Sequence, residues 1–287
     1  MMIPREWLPV VGLSLLALMA ACTGGRTEAT ISPADTIPLA APADTDSLYT
    51  HEDEVEELRL PEGRDEAFSD FIFTFVFNRR FQAERIRFPL AISEEGDSIP
   101  RRIRSGAAFR SEFDWPGDET YTMLLTDAGQ MEAYQNDLDL AAVEVQLIDL
   151  SAQRVKGYNF RRTSGRWHLE EGRYYRPEGR LGEFLRFYNR FVSDSIFQQQ
   201  CLASNIRYVT PDEEDGSGSI EGTLEPAQWP IFRPELPQGT LTNIRFGQDF
   251  DGSSRLVLVQ CGLSNGLMDF YTFQREGGGW RLTSFEN

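Results

Sequence analysis

Three blocks of this sequence occur twice, in the same order. Phe68, Phe71, Ile72, Phe75, Val76, Phe81 and Gln82 return 116 residues later as Phe184, Phe187, Tyr188, Phe191, Val192, Phe197 and Gln198. Trp115-Pro116 returns at offset 114 as Trp229-Pro230. Tyr158, Phe160, Arg162, Gly165, Trp167 and Leu169 return at offset 113 as Tyr271, Phe273, Arg275, Gly278, Trp280 and Leu282. A period this long is a duplicated domain, since solenoid units run only ~20–50 residues. It divides the chain into copies at 64–177 and 178–287, each long enough to bury a core of its own.

Within each copy the apolar period changes once. Phe68, Phe71, Ile72, Phe75 and Val76 fall at i, i+3, i+4, i+7 and i+8, one face of an amphipathic helix, and the second copy repeats the spacing. Phe73 and Phe77 add a second apolar face, so the first helix is expected either to be sandwiched or to contact the other domain. A short helix follows each long one, and the period then falls to two. Strands are expected at Glu119–Leu125, Ala142–Leu150, Arg154–Arg162 and Arg166–Tyr175. Their counterparts are Thr240–Gly247, Arg255–Leu263, Met268–Arg275 and Gly279–Phe285. The first copy also carries a hairpin, Arg85–Ile92 with Ser98–Arg104. Pro211–Gly222, acidic and rich in Gly and Ser, reads as a loop replacing that hairpin in the second copy. Each Trp-Pro reads as the end of a short helix. Each copy is therefore α+β, a helical face packed on a curved antiparallel sheet.

The N-terminus supplies an address. Residues 1–22 have a thin positive start, Arg5, then an apolar stretch from Trp7 to Ala21 that is short for a bilayer span of about 20 residues. The stretch ends in Leu18-Met19-Ala20-Ala21-Cys22 and resembles a bacterial lipobox, with Met19 in place of the usual Leu. That resemblance implies lipidation of Cys22. Thr23, not Asp, follows it, which implies an outer-membrane anchor facing the periplasm. No acidic cluster directly follows Cys22, so surface export is not indicated. Residues 23–63, with the run Glu52-Asp53-Glu54-Val55-Glu56-Glu57, lack apolar periodicity and read as a disordered acidic tether.

The helix-then-curved-sheet order resembles the cone fold of nuclear transport factor 2-like and cystatin-like proteins. The lipobox, the acidic tether, the Phe-x-x-Phe helix and the closing Gly-x-Trp-x-Leu strand, in tandem, resemble a Bacteroidetes lipoprotein family described only as a domain of unknown function. The resemblance implies two cone domains over 64–287 and carries over no catalytic residues.

Chemistry is sparse. The formal charge of −17 argues against nucleic acid, whose binding draws on Lys and Arg at phosphates. Lys156 is the single Lys among 28 basic residues. Cys201 and Cys261 share an oxidising compartment and are a candidate disulfide, with two buried thiols as the alternative. His51 falls in the tether, and His168 alternates with Trp167 and so points away from its face. Trp167 and Trp280, matched in both copies, read as core. Asp249-Phe250-Asp251-Gly252-Ser253 lacks the later ligands and closing Glu of a calcium loop and reads as a turn. No metal or cofactor is expected. Carboxylates such as Glu119, Asp127, Glu132 and Glu144 could form a catalytic dyad, but with 45 acidic residues the sequence does not place any two together. The segment 79–110 is locally basic, and its Arg101, Arg102 and Arg104, with Trp115 and Trp229, are the candidate ligand contacts.

The expected function is a non-catalytic, lipid-anchored periplasmic binding or scaffolding protein for a small molecule or another protein. The alternative is a hydrolase- or isomerase-like cone enzyme with a carboxylate site in one cavity. A deep polar cavity in either cone would favour the alternative.

Overall fold

The computed structural model describes residues 66–117, 119–136, 139–212, 218–263 and 265–287. The signal, Cys22, His51 and the tether lie outside them. The first copy runs α1 (Phe68–Phe77), α2 (Arg79–Glu84), β1 (Ile86–Glu94), β2 (Arg101–Ile103), α3 (Gly106–Arg110), β3 (Thr120–Leu125), α4 (Gln130–Asn136), β4 (Ala142–Asp149), β5 (Arg154–Thr163) and β6 (Arg166–Tyr175). The second runs α5 (Gly179–Ser193), α6 (Ser195–Gln200), β7 (Leu202–Pro211), β8 (Ser219–Leu224), α7 (Trp229–Phe232), β9 (Thr240–Arg245), β10 (Arg255–Gly262), β11 (Met268–Glu276) and β12 (Gly279–Glu286).

The repeated residues perform the same jobs in both copies. Phe68, Phe71, Ile72 and Phe75 are buried on α1, and Phe184, Tyr188 and Phe191 on α5. Asn78 and Asp194 cap the short helices α2 and α6, each through one side-chain oxygen that accepts two backbone N–H groups. The repeated glutamine is a tie. Gln82 Nε2 donates to the Phe75 carbonyl at 3.2 Å, and Gln198 Nε2 to that of Phe191 at 2.8 Å. Carbonyls at a helix end have no partner inside the helix, so these bonds close both long helices alike.

Two six-stranded sheets result, ordered β2-β1-β6-β5-β4-β9 and β3-β10-β11-β12-β7-β8. All pairings are antiparallel except β1 with β6 and β7 with β12, which are parallel. Each sheet ends in a strand from the other copy. β9 pairs with β4, and β3 pairs with β10. Read from the sequence as self-sufficient, 64–177 and 178–287 are tied together by this exchange, and their described residues from 66 to 287 fall in one unit. Period and spacing identify a strand but not its partner. Here each of the two strands takes its partner from the other copy and not from its own.

The exchange also fills the cores. On β10, Val257, Val259 and Cys261 pack with α1 and the first copy, while Leu256 and Leu258 on the opposite face pack with α5. On β4, Val143, Val145 and Leu147 serve the first core and Ile148 the second. Thus α1 is covered on two sides, as its second apolar face suggested. Phe73 meets Tyr121 of β3 with ring centroids 4.9 Å apart, though Phe77 stays half exposed.

Where the two inner edges cross, side chains replace the missing ladder. Thr242 Oγ1 accepts from Thr122 N at 2.6 Å and donates to Thr122 O at 2.8 Å. Thr122 Oγ1 accepts from Thr242 N at 2.9 Å and donates to Thr242 O at 2.7 Å. Asn243 Oδ1 accepts from Leu124 N at 2.8 Å. An edge strand with bare N–H and C=O groups invites further pairing, and these bonds close it.

Three further expectations change. The second copy keeps its hairpin, with β7 paired to β8 from Ile206 opposite Leu224 to Pro211 opposite Ser219. Trp229-Pro230 starts α7 instead of ending a helix, which suits proline, since the first N–H groups of a helix need no internal partner. Cys201 and Cys261 are unbridged. Strand alternation turns Cys261 toward the first core, whereas Cys201 packs on the second, so the candidate disulfide has its sulfurs on opposite faces of a sheet. Burial pushes the Cys261 thiol up to about 11.

Candidate functional site

The cone interiors are full. Phe71, Phe75, Phe109, Phe113, Tyr158 and Phe160 interlock in the first by edge and stacked contacts. Phe184, Phe187, Tyr188, Phe191, Phe273 and Trp280 do so in the second. Polar groups gather instead at the mouth of the first cone. Arg101 makes a two-pronged pair with Glu112 at 2.8 and 3.1 Å, which raises its pKa. Tyr158 and Tyr174 share a hydroxyl contact at 3.1 Å, and Lys156 Nζ donates to the Glu112 carbonyl at 3.0 Å. The position matched to Lys156 in the second copy is Asp269. It is 4% exposed and accepts from Tyr271 OH at 3.1 Å. Burial raises the Asp269 carboxyl pKa, and that hydrogen bond opposes the rise.

Open space lies elsewhere, on the outer face of the first sheet at the seam between copies. Two adjoining hollows of about 460 and 640 Å³ share a wall made by Arg173 and Arg245. Alternation on β4, β6 and β9 directs Glu144, Gln146, Arg173, Tyr175, Asn243 and Arg245 to this face. Glu144, its side chain 11% exposed, stands between the arginines: Arg173 Nη2 is 3.8 Å from Oε1, and Arg245 Nη1 is 3.6 Å from Oε2. Gln146 Nε2 donates to Glu144 Oε2 at 2.9 Å, and Tyr175 OH donates to Oε1 at 3.2 Å. Asn243 Nδ2 donates to Gln146 Oε1 at 2.8 Å and links this floor to the threonine crossing. Burial raises the Tyr175 pKa, with the neighbouring Glu144 charge adding to it. The arginines are held by rings, Arg173 4.5 Å from the Tyr175 centroid and Arg245 5.7 Å from that of Phe250.

Gly157 makes the arrangement fit. A Cβ there would collide with Glu144 Oε1, so the glycine leaves the space the carboxylate occupies. Arg245 is present only because β9 crosses over, where it stands in register opposite Glu144. The equivalent crossing on the other sheet pairs Val257 with Leu125, and both are buried in the first core.

The sequence candidates fare unevenly. Arg102 and Arg104 are exposed around β2, and no hydrogen bond or ion pair joins them to another described residue. Trp115 is half-buried, stacked near Phe113, its Nε1 without a partner among the described residues. Trp229 is wholly buried and donates from Nε1 to Gln198 Oε1 at 3.2 Å, a packing role. Trp167 and Trp280 are core, and His168 touches only the Arg166 carbonyl among described polar atoms. Glu144 is partnered by arginine, tyrosine and glutamine, not by a second carboxylate. No three potential ligands cluster as for a metal among the described residues.

Residues 47–287 match the family described as Domain of unknown function (DUF4348). The chain belongs to that family. Among solved structures, an NTF2-like protein from Bacteroides fragilis NCTC 9343 is similar to this DUF4348 chain, with 32% identity and a TM-score of 0.68. The match covers 79% of this chain and 98% of that one. It agrees with the tandem cone architecture built up above. No curated protein matches the chain.

Proposed function

We propose that this chain is a non-catalytic binding or scaffolding protein, held by lipid on Cys22 at the periplasmic face of an outer membrane, that takes its ligand at the seam between its copies. One observation carries the reading: space and converging polar groups coincide at the seam, while both cones are packed with rings. Ligand sites are concave, with a few fixed polar groups in a mostly apolar wall. A broad apolar docking patch is a poorer fit. The exposed large apolar side chains are spread from Phe77 of α1 to Met268 of β11, and only Ile231 and Phe232 share an element, α7, among the described residues. Support for the anchor comes from the Leu18–Cys22 run in the sequence.

A second reading has its own observation. Asp269 is a buried acid with a raised pKa, as a general acid needs. Neither hollow at the seam is lined by Asp269, which places this reading behind the first.

Fractionation and native mass spectrometry of full-length protein test the proposal. Cys22→Ala should move the protein from membranes to the soluble fraction and abolish acyl labelling. Wild type should retain a small molecule that Arg245→Met loses. Unchanged fractionation refutes the anchor, and turnover of the retained molecule refutes the non-catalytic role.

A further inference from the structure

Resting on the binding reading, we propose that Arg173 and Arg245 seat the carboxylate of a small organic monoanion whose apolar body lies in the hollow of about 460 Å³. Charge selects the class. Two guanidiniums share one carboxylate, Glu144, leaving a single positive charge at the seat. Their contacts to Glu144, 3.6 and 3.8 Å, are longer than a hydrogen bond, so N–H donors remain for a second acceptor. One ligand carboxylate neutralises the seat. A dianion overshoots it and meets Glu94, Glu95, Glu178, Asp249 and Asp251 around the same hollow, five acids against the one further cation there, Arg176. Those acids raise the cost of any further negative charge. Tyr175, Pro177, Leu181 and Phe250 supply the wall for an apolar body. Tyr175 and Phe250 stand over the guanidiniums, with ring centroids 4.5 and 5.7 Å away, and so narrow the range that binding must order.

Ligand-observed NMR on the full-length protein tests this with three probes: 4-fluorophenylacetate, the neutral 4-fluorophenylacetamide and the dianionic 4-fluorophenylphosphonate. The acetate should bind at least tenfold more tightly than either comparator. Arg245→Met and Arg173→Met should each weaken it at least tenfold, and Arg79→Met, exposed on α2, should leave it unchanged. Unaltered melting of the Arg173→Met protein separates lost binding from lost folding. Equal binding of the amide, preference for the phosphonate, no binding of the acetate, or indifference to both arginine variants overturns the proposal. A retained molecule without a carboxylate in the mass spectra would sink this inference alone and leave the binding role standing.

Discussion

Thr242→Val tests the crossing of the exchanged strands. Thr242 is 1% exposed, and its hydroxyl serves both backbone groups of Thr122, at 2.6 and 2.8 Å. Valine keeps the branched shape and the strand preference, so packing changes little. It removes both bonds and leaves the Thr122 N–H and C=O buried without partners. Each of the two orphaned groups costs about 1–3 kcal/mol, and burial of the new methyl returns less than about 1 kcal/mol, so the expected loss is about 1–5 kcal/mol. Thr122→Val should cost a similar amount, because its hydroxyl serves Thr242 in the same way at 2.9 and 2.7 Å. Urea unfolding of the full-length protein, followed by tryptophan fluorescence, gives the difference from the midpoint shift at constant slope. A loss below about 0.5 kcal/mol in both variants, the range of ordinary surface changes, would refute the view that these bonds seal the inner edges.

Fragments 64–177 and 178–287 each lack the strand that completes their own sheet, so neither should behave alone as a folded monomer. Mixed, they should form a one-to-one complex by light scattering. Two stable, non-associating monomers would count against the exchange. Asp269→Asn should alter the pH profile of stability. Burial raises the folded-state pKa of Asp269 above 3.8, so its contribution is fully present below that value and is lost as pH rises through the folded pKa. The variant should therefore gain on wild type in melting temperature as pH rises from about 3.5 toward neutrality, while parallel profiles would show that Asp269 is not held in its neutral form.

Much of the fold could be read from period alone. The helices around Phe71 and Phe187 and ten of the described strands lie where spacing puts them, because burial imposes periods of 3.6 and 2 directly on the residues. Strand partnership leaves no such mark. β3 and β9 read equally well in either sheet, since apolar residues on both their faces meet a core in each arrangement. Cys261 shows the consequence: with β10 beside β3 it packs in the first core, apart from Cys201 on the second. Glu144 was visible only as one acid among many. Its partners Arg173 and Arg245 lie 29 and 101 residues away in sequence, and only the crossover brings Arg245 into register. The basic segment drew notice by composition, yet its Arg101 is already paired with Glu112 and its Arg102 and Arg104 stand exposed, whereas Arg173 and Arg245 share a buried carboxylate.

The threonine crossing relates the copies by an approximate twofold, but the faces beside it have parted company. Where one side has Glu144 opposite Arg245, the other has Val257 opposite Leu125. A chain built symmetrically would offer two equivalent sites and could bind with cooperativity between them. This one has kept the repeated scaffold and spent one of the two positions on interior packing. Its saturation stoichiometry should accordingly be one ligand per chain, with a binding curve that is hyperbolic.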